Sequence, residues 1–95
     1  MVYIDKVHFA TDSYGNELYI ANVKWTNNLN EDAVKECSKQ QMIEFINQNP
    51  NCTKTKYFRY GSWYVGEDVR VVENKYLRTD GNNTKADNLG SLPRY

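Results

Sequence analysis

The sequence predicts an α+β fold: a small antiparallel sheet of four to five strands with one main α-helix packed on a face. Three observations carry this. Two early segments alternate apolar and polar residues, a central segment has helical spacing, and the aromatic, β-prone remainder is cut by Gly and Asn turns. At 95 residues the chain suits a single domain, 1–95, with neither internal repeat nor linker.

Taken in order, Tyr3 to Ala10 alternates as a half-buried strand does, with Tyr3, Val7 and Phe9 expected on one face and Ile4, Lys6 and His8 on the other. Asp12-Ser13-Tyr14-Gly15-Asn16 is a turn cluster in which Gly15 can take a positive φ. Leu18 to Thr26 alternates again, setting Tyr19, Ala21, Val23 and Trp25 against Ile20, Asn22 and Lys24, so the two segments form an antiparallel hairpin. Asn27 to Asp32 is a polar loop, and Val34 to Cys37 reads equally as a short strand or a helical lead-in. Ser38 opens the helix with capping-box spacing to Gln41. Met42, Phe45 and Ile46 form its apolar stripe with Ile43 at the margin, and Asn49-Pro50-Asn51 ends it. Thr53 to Tyr60 is a strand that turns at Gly61-Ser62 into Trp63-Tyr64-Val65. Asp68 to Val72 and Tyr76 to Thr79 pair across Glu73-Asn74-Lys75. Asp80 to Asn88 has loop composition, and Leu89 with Leu92-Pro93 pins the tail.

Composition excludes several functions. Twelve Lys+Arg balance twelve Asp+Glu, which rules out the blanket electrostatics of a histone-like DNA binder. One His and two distant Cys cannot fill a closed zinc site, and no cofactor is expected. His8 alone cannot supply a Ser–His–Asp arrangement, and adjacent Glu67 and Asp68 point to opposite strand faces, which suits no glycosidase pair. Without a long apolar run or a signal peptide, the expected location is the cytoplasm, where Cys37 and Cys52 stay free thiols. These features point to a protein that binds and does not transform.

What it binds is suggested by uneven charge. Residues 1–53 carry four Lys against seven acids, net −3, while residues 54–95 carry four Lys and four Arg against five acids, net +3. Arg59, Arg70, Arg78 and Arg94 interleave there with Tyr57, Phe58, Tyr60, Trp63, Tyr64 and Tyr76. Flat rings that hold a base and guanidinium groups that hold phosphate are the two halves of a nucleotide site. Tyr57 or Trp63 would supply the stacking ring, Arg59, Arg78 and Arg94 the guanidinium groups, and the polar loop that holds Asn82, Asp87 and Asn88 can ring a polar ligand with amides. The same composition also serves a single-stranded nucleic-acid module or a Tyr-rich face that docks a protein.

The order of Tyr3-Ile4-Asp5-Lys6-Val7, Val23-Lys24-Trp25, the Ser38-initiated helix and the closing Tyr76-Leu77-Arg78-Thr79, Asp87-Asn88-Leu89 and Leu92-Pro93 resembles a family of small proteins from Firmicutes and their phages, catalogued as a domain of unknown function. The chain also resembles the Thoeris anti-defence proteins carried by phages and prophages of Bacillus and Clostridium. That resemblance implies a non-enzymatic sponge in the bacterial host cytoplasm. Such a protein would sequester a cyclised ADP-ribose signal made by a TIR-domain protein. It further implies a homo-oligomer with the ligand near a subunit interface, held by aromatic stacking and by arginines on the diphosphate.

Overall fold

The computed structural model describes residues 1–81 and 85–95. It contains a five-stranded sheet, a two-stranded ribbon and one helix, as the α+β prediction requires. In chain order the elements are β1 (Val2–Thr11), β2 (Glu17–Thr26), β3 (Lys35–Ser38), α1 (Lys39–Gln48), β4 (Thr53–Arg59), β5 (Ser62–Asp68), β6 (Arg70–Val72) and β7 (Tyr76–Arg78). The large sheet runs β3-β2-β1-β4-β5, and β6 with β7 forms the ribbon. Neighbours in both sheets are antiparallel except β1 and β4, which pair in parallel over Val2–Ile4 and Thr53–Thr55.

The β1–β2 hairpin closes at the expected turn. Asp12 Oδ1 accepts from the backbone N–H groups of Tyr14 and Asn16, and Gly15 sits at φ 83°. The expected strand faces are corrected by bulges. Ile4 pairs with Trp25 and Lys6 with Lys24, so Asp5 is an extra residue that reverses the alternation, and Ile4 and Val7 both enter the core. A second irregularity at Ala21 does the same for β2, where Ile20 and Val23 are both fully buried.

The residues around Val34 resolve as strand β3 from Lys35, an edge strand on β2. Ser38 caps α1 with the full capping box, its hydroxyl accepting from Gln41 N–H while the Gln41 side chain accepts from Ser38 N–H. On the helix, Ile43 joins Met42 and Ile46 as buried while Phe45 is only partly covered, which exchanges the expected centre and margin of the stripe. These residues pack with Val2, Ile4, Val7, Ile20 and Val23 of the sheet and with Leu77 of the ribbon. Leu89 and Leu92 complete this core, so the tail is pinned as expected.

The two sheets meet at a break. The segment expected as one strand from Asp68 to Val72 is divided, since β5 ends at Asp68 and β6 begins at Arg70. Val69 between them is buried in the core, with its N–H donating to the Thr53 carbonyl.

Candidate functional site

Where β1 and β4 stop pairing, a groove opens. Past Ile4 and Thr55 the two strands separate, and the chain's last residues take the vacated side of β1. Val7 N–H donates to the Pro93 carbonyl, Tyr95 N–H donates to the Val7 carbonyl, and Val7 bridges Arg94 in parallel. Between the β4–β5 hairpin and this tail lies a groove of about 650 Å³, within the size range of small-molecule sites. Thr55, Tyr57, Phe58, Arg59 and Trp63 form the hairpin wall. Leu89 to Pro93 form the tail wall, and Asp5 and Lys6 lie where the strands fork.

The hairpin wall is stiff at its base. Glu67 N–H donates to Thr55 Oγ1, and Gly66 lies so close to Thr55 that an added Cβ would stand 2.3 Å from that oxygen. Any side chain there would have to displace Thr55, and Gly66 marks the bulge where the Lys54–Asp68 pair gives way to Lys56–Val65. Farther out, Tyr57 stacks with Tyr64 at 5.6 Å and Phe58 meets Trp63 edge-on at 5.2 Å. The Arg59 guanidinium lies 5.3 Å from the Tyr57 ring. No described residue gives it an ion pair.

Behind this wall sits a buried charge pair that the sequence did not single out. Lys56 is fully buried, and its ammonium lies 3.6 Å from the centre of the Trp63 ring and 3.7 Å from Asp5 Oδ2. It donates to the carbonyls of Leu29 and Glu31, which ties the Asn27–Asp32 loop to the sheet. Burial pushes the Lys56 pKa below its ordinary value, against the pull of Asp5 and Asp32. Asp5 Oδ2 also accepts from Ala33 N–H at 2.9 Å. No local signal marked either, since Asp5 adjoins Lys6 and Lys56 lies two residues from Lys54 in segments that read as ordinary strands.

Of the residues expected to bind a ligand, Tyr57, Arg59 and Trp63 come together in the groove. The other described ones lie outside the groove lining and have partners within the chain. Arg78 is buried and bidentate to Asp80 at 2.9 and 2.7 Å, with a third bond to the Ala86 carbonyl. The Asp80 bonds raise its pKa further. Asp87 accepts from Ile20 N–H at 2.8 Å, Leu77 N–H at 2.9 Å and the Lys39 ammonium at 2.9 Å. Asn88 accepts from Gly90 N–H through its side chain and bridges Arg78 through its backbone. Arg94 pairs with Glu17 and lies over the Phe9 ring. Asn82 lies outside the described residues.

A second cavity of about 570 Å³ is lined by Met1, Val2, Trp25, Met42, Phe45 and both free cysteines among others. Burial raises the Cys37 thiol pKa, which disfavours the thiolate needed for nucleophilic or metal chemistry. Among the described residues no group of three or more His, Cys, Asp or Glu is placed to hold a metal. None of their helices is long and apolar enough to cross a membrane.

No curated protein and no solved structure matches the chain. A family model described as a protein of unknown function matches residues 20–93, from the middle of the first hairpin to the tail wall of the groove. The chain therefore belongs to the DUF3892 family.

Proposed function

We propose that this protein is a non-catalytic binder of an adenine nucleotide, which it holds in the groove between the β4–β5 hairpin and the tail. The observation that carries the reading is that Tyr57, Trp63 and Arg59, which has no ion pair among the described residues, line one groove of ligand size. Aromatic surface gives a base something to stack on, and a guanidinium without a carboxylate partner is available to phosphate. In its finer form, the ligand is a cyclised ADP-ribose of the kind made by TIR-domain defence proteins. The protein sequesters it intact for a phage or prophage in the host cytoplasm. A homo-oligomer belongs to the same reading, since Phe58, Tyr60, Tyr64 and Val65 are exposed on the hairpin beside the groove and would be covered by a second copy.

Thermal unfolding of the purified protein with ADP-ribose, its cyclised isomers and common nucleotides tests this. A ligand at a hundred times its Kd adds about 2.7 kcal/mol, roughly 10 °C or more in a domain this small. The expected result is such a shift with one nucleotide class, recovery of that ligand unchanged after heating, and at least tenfold weaker binding by R59Q. If no nucleotide shifts the melt, the reading is wrong and the exposed hairpin aromatics are better explained as a protein-docking face. Salt-sensitive binding of single-stranded oligonucleotides alone would likewise replace it.

A further inference from the structure

We propose that Asp5, together with Lys6, is the base-reading element of this groove and selects a 6-aminopurine over a 6-oxopurine; the proposal rests on the nucleotide reading above. The Asp5 side chain is only 1% exposed, and its two oxygens are used unequally. Oδ2 is committed to Ala33 N–H and faces Lys56. Oδ1 is buried and accepts no hydrogen bond. A buried carboxylate oxygen without a hydrogen bond is costly, and one kept at the fork of a ligand-sized groove supplies an acceptor there.

The neighbouring donor makes the pattern specific. The Lys6 ammonium lies 3.5 Å from Oδ1, and its side chain, 31% exposed, also lines the groove. An acceptor beside a donor matches one edge of adenine, whose exocyclic amino group donates while the adjacent ring nitrogen accepts. Hypoxanthine and guanine present a carbonyl oxygen at that position, which would face Oδ1 with two acceptors opposed. The β-bulge supplies the means: as the extra residue of β1, Asp5 is freed from the strand's alternation, and its carboxylate lies between the Ala33 amide and the fork. Trp63, whose ring lies over the Lys56 ammonium that faces Oδ2, is the adjacent aromatic surface.

The experiment compares the affinity of the wild-type protein for ADP-ribose and its cyclised isomers with that for the hypoxanthine counterpart of each, made by deamination. The adenine form is expected to bind at least tenfold more tightly. D5N, which can present an amide donor, should reduce that ratio to below about threefold or invert it. Because Asp5 also supports Ala33 and Lys56, D5N is read only if its circular dichroism matches wild type, whereas the wild-type ratio and K6Q, on the exposed side, need no such condition. Equal binding of the two bases within twofold, the result expected if a water satisfies Oδ1, overturns the proposal and leaves the nucleotide reading standing. No binding of either base removes both.

Discussion

Asp87→Asn separates a structural role for Asp87 from a ligand-binding one. In the structure Oδ2 accepts from Ile20 N–H and the Lys39 ammonium, and Oδ1 accepts from Leu77 N–H. Asparagine has one acceptor oxygen. If that oxygen takes the Oδ2 position, the amide NH2 faces Leu77 N–H, donor against donor, at a residue with no solvent exposure. One buried N–H then loses its partner at about 1–3 kcal/mol, the Ile20 bond becomes neutral and the Lys39 ion pair becomes an ammonium–amide bond, for a total of about 3 kcal/mol. A domain of this size is stable by roughly 5–14 kcal/mol, and each kcal/mol shifts its melting temperature by about 4–8 °C. D87N should therefore melt about 15 °C below wild type in calorimetry and unfold at lower urea. The folded fraction should bind nucleotide with unchanged affinity. A melting temperature within about 3 °C of wild type would refute the structural role, and a loss of affinity at wild-type stability would return Asp87 to the ligand.

Two further outcomes follow from the same geometry. Gly66→Ala should destabilise by about 2–3 kcal/mol, since its Cβ would meet Thr55 Oγ1 at 2.3 Å and the Thr55 carbonyl at 3.2 Å; combining it with T55A should cost less than the two single changes together, and strict additivity in denaturant titrations would contradict the clash. Stability should also fall in acid through Asp12 and Glu17, whose pKa values lie below 3.8 and 4.5 because Asn16 and Arg94 respectively hydrogen-bond their charged forms. The unfolded chain then takes up protons first, so this stabilisation is present above about pH 4.5 and lost as pH falls through the lower folded values. A D12N/E17Q double variant should show a shallower decline in urea midpoint between pH 5 and pH 3, and an unchanged decline would exclude the pair as its source.

The elements were legible wherever a local rule decided them. Ser38 and Gln41 form the capping box their spacing announced, and Leu89 and Leu92 enter the core as the tail's apolar residues should. Strand phase was legible only up to the bulges. A single extra residue at Asp5 moves every following side chain of β1 to the opposite face, and nothing local to the strand marks which residue is extra. The division at Val69 escaped for a related reason, because a buried Val between two β-prone runs reads as a continuous strand.

For the site, residue type identified candidates, but their partners in the fold set them apart. Arg59 and Arg78 are alike in sequence. Arg78 is taken by Asp80 two residues away, whereas Arg59, at the exposed end of a hairpin, lies over the Tyr57 ring and has no ion pair among the described residues. Asp87 looked like a loop carboxylate, yet its partners Ile20 and Lys39 lie 67 and 48 residues earlier. Asp5 and Lys56 escaped because a charged residue inside a strand normally faces solvent, and here both are buried against each other. Such a pair adds little net stability compared with apolar residues of the same size. It does hold the Asn27–Asp32 loop and Ala33 against the fork while leaving one carboxylate oxygen without a hydrogen bond, 3.5 Å from the Lys6 ammonium. The groove thus depends on two departures from regular sheet structure. β1 and β4 part after three pairs, and the tail, bridged at Val7, keeps them from closing. A continuous parallel pairing would have buried the same strands more fully and left no space beside Tyr57, Arg59 and Trp63.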